Sequence, residues 1–152
     1  MKSNPFDTKI IEGEDLENKI IMWLTDNGVT SAVKIGGNFK EYDIFIASSE
    51  IKIECKNDNR AIETGNIFIE TSCNDKQSGI YTTKADYWVI RAYKNRILIF
   101  KTKRIIQCII DNNIPSTTHN VKQNISFKKM TACIIPINVL ERYKSNSKDL
   151  LC

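Results

Sequence analysis

The sequence predicts an α/β (α+β) fold, a mixed central β-sheet flanked by helices, and three observations carry that expectation. Apolar residues recur at helical spacing near the start of the chain. Short segments with period-two alternation fill the middle, and helical spacing returns towards the end. Elements in that order pack as helices layered on a sheet. The chain has 152 residues, which suits one domain spanning 1–152. A domain of this size buries roughly 70% of its unfolded-chain surface and needs no covalent staples.

Each element has its own signal. Leu16, Ile20, Ile21 and Leu24 mark the first helix, and Asp26-Asn27-Gly28 marks its stop. Glu17 shares that apolar face, where a carboxylate needs a partner or a task. A short strand at 32–35 ends at Gly36-Gly37. Residues 42–47 and 51–56 read as a hairpin about Ser48-Ser49-Glu50. The polar stretch 57–65 reads as a loop, 66–71 as a strand, and 72–84 as turns with a short helix. Segments 86–92 and 96–100 form a second hairpin about Lys94-Asn95. Residues 103–110 read as helix, 114–124 as loop, 131–135 as strand and 138–144 as a closing helix. The polar tail 145–152 is expected to fray.

Composition removes several function classes. Apolar residues make up 41% and charged residues 26%, as in ordinary soluble domains. A net charge of +4 points to a polyanion partner only weakly. The five cysteines, Cys55, Cys73, Cys108, Cys133 and Cys152, show no CxxC or CxxH spacing. A disulfide framework or zinc site is therefore not expected, and a reducing cytoplasmic compartment is. The N-terminal stretch MKSNPFDTKI lacks the apolar core of a signal peptide, and no apolar run approaches the ~20 residues needed to cross a bilayer. There is no Walker loop and no GxGxxG. The single histidine, His119, falls in the expected polar loop and receives no role.

The chemistry concentrates in one strand. Ile51, Ile53 and Cys55 face one way, and Lys52, Glu54 and Lys56 the other. If Ser48-Ser49 makes the turn, Ala47 pairs with Glu50, and counting back sets Asp43 opposite Glu54. Side chains facing each other across a ladder have Cβ atoms ~5 Å apart. Two carboxylates at that range repel unless a cation lies between them. A hard divalent ion such as Mg²⁺ suits oxygen ligands. A lysine beside it can orient or deprotonate a water and offset phosphate charge. A register slip of one residue would separate the carboxylates. Glu50-Ile51-Lys52 repeats the Glu-x-Lys pattern, but Glu50 belongs to the turn. The plainer alternative is a solvent-facing strand with cross-strand ion pairs.

Asp43, ten intervening residues, then Glu54-Cys55-Lys56 resembles the PD-(D/E)XK nuclease superfamily. The helix sequence Glu-Asn-Lys-Ile-Ile-Met-Trp-Leu-Thr-Asp-Asn-Gly at 17–28 resembles the first helix of archaeal-type and phage Holliday junction resolvases. The resemblance covers residues 14–56 well and the remainder only by order of elements. Tyr42 stands where that superfamily often has proline, and the long polar loop after Lys56 departs from the simplest resolvases. The resemblance implies a restriction-endonuclease-like sheet and a Mg²⁺-dependent endodeoxyribonuclease, with Mn²⁺ substituting. It implies metal ligands at Asp43, Glu54, the Cys55 carbonyl and Glu17, water activation by Lys56, and 5′-phosphate and 3′-hydroxyl products. Glu70, on the face of Asn66 and Phe68, is a possible accessory carboxylate. Arg60, Lys76, Gln77, Lys84 and Arg91 are candidate phosphate contacts, with Lys101, Lys103 and Arg104 as a second basic group, and Tyr81 is a candidate base stacker. A four-way DNA junction and a homodimer are the expected partners, with 97–100, 105–110 and 133–140 as candidate apolar surface. A restriction-like or repair endonuclease, or a catalytically inactive DNA-binding relative, is the alternative.

Overall fold

The computed structural model describes residues 5–37, 41–93, 96–123 and 125–151, with side chains except those of 5–14, 93 and 123. Helix α1 (Pro5–Asp26) opens on a proline, whose missing N–H costs nothing at a helix start. It ends as the sequence predicts. Gly28 adopts φ 90°, the Gly28 N–H donates to the Thr25 carbonyl at 3.0 Å, and the Val29 N–H donates to the Leu24 carbonyl at 2.9 Å. This paired closure needs a left-handed residue, which glycine supplies without strain.

The central sheet has the order β1 (Ala32–Lys34), β2 (Ile44–Ile46), β3 (Ile51–Asn57), β6 (Tyr87–Tyr93), β7 (Arg96–Lys101). Strands β3 and β6 run parallel and the other neighbours antiparallel, so the sheet is mixed. The first hairpin keeps the expected register, with Ile44 opposite Ile53 and Ile46 opposite Ile51. Its turn holds Glu50 at φ 58°. One face of the sheet carries Ile44, Ile46, Ile53 and Val89, all buried beneath Leu16, Ile20 and Leu24 of α1. Arg91 locks the helix down: its Nε donates to Asn57 Oδ1 at 2.7 Å and its Nη1 to Asp15 Oδ2 at 3.1 Å. Expected to reach phosphate, Arg91 instead serves this internal bridge.

The chain also forms a second sheet, beyond the one expected. Four antiparallel strands have the order β5 (Lys76–Gln77), β4 (Asn66–Cys73), β9 (Ser126–Pro136), β8 (Ser116–Gln123). A larger core lies between the sheets, built from Ile67, Ile69, Cys133 and Ile135 on one side and Trp88, Ile90 and Phe100 on the other. Helix α3 (Thr102–Asp111) closes it with Ile105, Cys108 and Ile109. Residues 114–124, expected to be loop, contain β8. The pattern was hidden because β8 is an edge strand with little burial on either face, so no apolar alternation is required. His119 therefore lies on a strand.

Other differences are smaller. The 57–65 segment contains the one-turn helix α2 (Ala61–Thr64), closed by Gly65 at φ 69°. The closing helix is shorter than 138–144: α4 (Ile137–Leu140) passes into a 3₁₀ turn at Glu141–Tyr143. The tail does not fray over its described length. The Ser145 N–H donates to the Ile99 carbonyl at 2.7 Å, and Leu150, in a 3₁₀ turn at Ser147–Leu151, is fully buried against the α1 core. The turn at Lys94-Asn95 and Cys152 lie outside the described residues. No helix among the described residues is long and apolar enough to cross a membrane.

Candidate active site

The alternation of β3 sets Glu54 and Lys56 on the face turned away from α1, where the second sheet approaches. Strand β4 brings Glu70 to the same place. A register shift against β9 falls between Glu70 and Ser72, and such a bulge re-aims the side chains beside it. Glu54, Cys55, Lys56 and Glu70 line one cavity of about 450 Å³, joined by Glu41, Gly79, Thr82, Thr83 and Trp88. Glu54 lies level with Trp88 on the parallel neighbour. The Trp88 indole is almost fully buried, and its Nε1 has no hydrogen-bond partner among the described residues.

Gly79 shapes the opposite wall. It has φ +57°, and a Cβ there would meet the Glu70 carbonyl oxygen at 2.2 Å. Glycine is therefore required for the 3₁₀ turn Gly79–Tyr81 to press against β4 at Glu70.

Asp43 is buried just before β2. Its Oδ2 accepts a hydrogen bond from the Cys55 N–H at 2.7 Å, and its own N–H donates to the Ile53 carbonyl at 2.9 Å. The carboxylate thus grips β3 between Glu54 and Lys56. Glu17 is also buried, on the α1 side of the sheet, with Lys34 Nζ 3.9 Å from its Oε2. Neither Asp43 nor Glu17 is among the described residues lining the cavity. Among the described residues, no three His, Cys, Asp or Glu side chains are grouped as a preformed metal cage. The carboxylates that line the cavity together, those of Glu54 and Glu70, are of the type that suits Mg²⁺ in the mode where one or two carboxylates are supplemented by water and phosphate.

Lys56 is the focus of the electrostatics. Burial pushes its ammonium pKa down from 10.5, and the carboxylates of Asp58, Glu70 and Glu54 oppose that shift without cancelling it. Its Nζ also lies 5.4 Å from the centre of the Phe68 ring. A lysine so placed has a larger uncharged fraction near neutrality than an exposed one.

The other expected contacts are distributed. Arg60 precedes α2 on an adjoining groove, and Lys76 and Gln77 lie exposed on β5. Lys84 is exposed just beyond the cavity residues Thr82 and Thr83. Lys101 and Lys103 border a separate hollow with Asp86 and Thr102. Arg104 stacks over the Tyr143 ring at 4.9 Å. Tyr81 is partly exposed beside the cavity-lining Gly79.

Sequence reasoning missed Glu41, Asp58 and Trp88. Asp58 continues the period of Glu54 and Lys56, which was its available signal. Glu41 carries no such signal, and Trp88 lies unmarked within the strand segment 86–92. Comparisons with protein-family models, curated proteins and solved structures return no match to this chain.

Proposed function

We propose that the chain is a metal-dependent endodeoxyribonuclease that hydrolyses DNA phosphodiesters to 5′-phosphate and 3′-hydroxyl ends. One observation carries the reading: Glu54, Lys56 and Glu70, from two sheets, share one cavity. Carboxylates and a desolvated lysine together suit phosphoryl chemistry, where positioning and charge compensation do most of the work. A purely structural ion-pair network would not need an open cavity beside it.

In this reading Glu54 and Glu70 would hold Mg²⁺ or Mn²⁺, which would supply charge neutralisation at the phosphate. Asp43 fixes the Cys55 backbone and so the spacing of Glu54 and Lys56. Lys56 orients the attacking water and takes up its proton through the uncharged amine. Oxygen adds to phosphorus, the P–O3′ bond breaks, and the departing 3′ oxygen acquires a proton. Glu17, on the α1 side of the sheet, is not part of the metal site in this reading.

The finer reading is a four-way junction resolvase acting as a homodimer in the cytoplasm. Symmetric cutting of a junction needs two active sites, and two-fold dimers are the commonest oligomers. Much of the apolar surface expected to pair is core: Leu98, Phe100, Ile105 and Ile109 are buried, while Ile97 and Ile110 are exposed. Sedimentation equilibrium with junction DNA is expected to give two chains per junction. One chain per junction would favour a repair or restriction-like nuclease.

The test of the site is substitution. Glu54→Gln and Lys56→Ala are expected to lower cleavage by at least ~100-fold, the scale of a lost general base or charge-stabilising group. DNA affinity should stay near wild type. Asp43→Asn should lower cleavage by a smaller factor. Wild-type rates from Glu54→Gln and Lys56→Ala would remove the assignment.

A further inference from the structure

A second groove, of about 410 Å³, adjoins the acidic cavity and shares Lys56 with it. One wall is the end of β3 and the segment after it, which contribute Asn57 and Arg60. The other is a face of the four-stranded sheet, formed by Phe68, Met130 and Val121. Register builds that face. Met130 lies opposite His119 and Val121 opposite Lys128, so all four point to one side. The His119 ring meets Phe68 edge-on, with centroids 5.6 Å apart.

Asp58 is the carboxylate of this groove, and it is committed to structure. It is buried, its Oδ2 accepts from the Phe68 N–H at 2.9 Å, and its own N–H donates to the Arg91 carbonyl at 3.0 Å. These bonds tie the 58–60 segment to β4 and β6 and hold Arg60, itself exposed, at the mouth.

The lining combines an aromatic and thioether wall, the amides of Asn57 and Asn59, the committed Asp58 carboxylate, and two cations, of which Lys56 is shared with the acidic cavity. A simple apolar ligand would gain nothing from Lys56 and Arg60. A bare phosphate would gain nothing from Phe68, Met130 and Val121. A nucleotide uses both, because every base has an apolar face and every linkage a negative charge. A base held in a duplex stack cannot enter such a groove without leaving the stack.

We propose that this groove holds one unpaired nucleotide of the strand being cut, its base against Phe68, Met130 and Val121 and its phosphate at Arg60. This rests on the nuclease reading for the neighbouring cavity and names its substrate class: DNA with an unpaired nucleotide beside the scissile linkage, as in a bulge, a flap or the crossing point of a junction. Because the two hollows share Lys56, a nucleotide in the groove adjoins the linkage at Glu54 and Glu70. The β8–β9 hairpin continues past the groove with Ile125 and Phe127 exposed, a suitable apolar tip for keeping strands apart.

The test separates binding from cleavage. Binding is measured in excess chelator by fluorescence anisotropy, using a duplex with a single 2-aminopurine bulge and the same duplex fully paired. Val121→Asp is expected to weaken the bulged DNA by about tenfold, the size of one lost base contact, and the paired DNA by less than about twofold. Arg60→Glu, which reverses a charge at a phosphate, should weaken the bulged DNA more than the paired DNA. Lys122→Asp, whose side chain lies on the other face of β8, should affect both DNAs alike. Wild-type protein should change the 2-aminopurine fluorescence, and Val121→Asp should not. If Arg60→Glu and Val121→Asp weaken both DNAs equally, or the fluorescence is unmoved by wild type, the groove does not hold a nucleotide, and the nuclease reading stands on its own cleavage assay. Discrimination of the bulge without any cleavage in Mg²⁺ would retain the groove and overturn the nuclease. Failure to bind either DNA would overturn the groove.

Discussion

Lys56 stands beside Glu54 on β3, with its ammonium near the Phe68 ring and the carboxylates of Asp58, Glu70 and Glu54. Alternation along Ile51-Lys52-Ile53-Glu54-Cys55-Lys56 suffices to place it beside Glu54, because a strand has only two faces. Its desolvation was not legible, since the covering groups, Phe68 and Glu70, come from a strand in the other sheet. That burial has a consequence for stability. The folded pKa of Lys56 lies below its unfolded value of 10.5, so between the two values the unfolded chain binds more protons and stability rises with pH. Lys56→Met removes the penalty of burying a charge. The variant is expected to be more stable than wild type near neutrality, with the difference narrowing as pH climbs towards the unfolded value. Denaturant unfolding at pH 7 and pH 10 checks this, and a difference that widens with pH would show that the ammonium is well solvated or well paired.

At the scale of elements, the first hairpin was legible because its turn is short and its apolar faces leave one register that buries Ile44, Ile46 and Ile53 together. The same logic failed for β8, whose residues stay largely exposed and carry no alternation. It failed also for the tail, where Leu150 and Leu151 dock a polar stretch on the α1 core. The 3₁₀ turn at Gly79–Tyr81 is the element that most directly serves the cavity. Gly79→Ala places a methyl group against the Glu70 backbone at a left-handed φ. Strain of this kind costs about 1–3 kcal/mol, and it should displace Glu70 from the cavity. The variant should unfold at lower denaturant concentration and cleave DNA more slowly. A variant as stable and as active as wild type would mean that the turn can move off β4 freely.

For the whole molecule, the sequence led to one mixed sheet flanked by helices, and the mixed sheet with α1 on one face is what forms. The second sheet was illegible because its pairings, β4 with β9 and β9 with β8, join segments far apart in the chain or lacking an apolar pattern. That sheet supplies Glu70 to the acidic cavity and Phe68, Val121 and Met130 to the groove. The candidate site is therefore a product of two sheets meeting at β3. Asp43, Glu54 and Lys56 could be found from one hairpin, and Asp58 from the period of β3, whereas Glu41 and the walls could not.

Cutting of DNA at this meeting point, with the help of a divalent ion, is the proposed activity. The direct measurement is incubation of wild-type protein and Glu54→Gln with a four-way junction, a nicked duplex and an intact duplex, each with Mg²⁺ and with chelator. The expected result is cleavage of the junction by wild type in Mg²⁺, leaving 5′-phosphate ends, with little cutting of the intact duplex and none by Glu54→Gln or in chelator. Full cleavage in chelator, equal cleavage by Glu54→Gln, or no cleavage of any substrate in Mg²⁺ would contradict it.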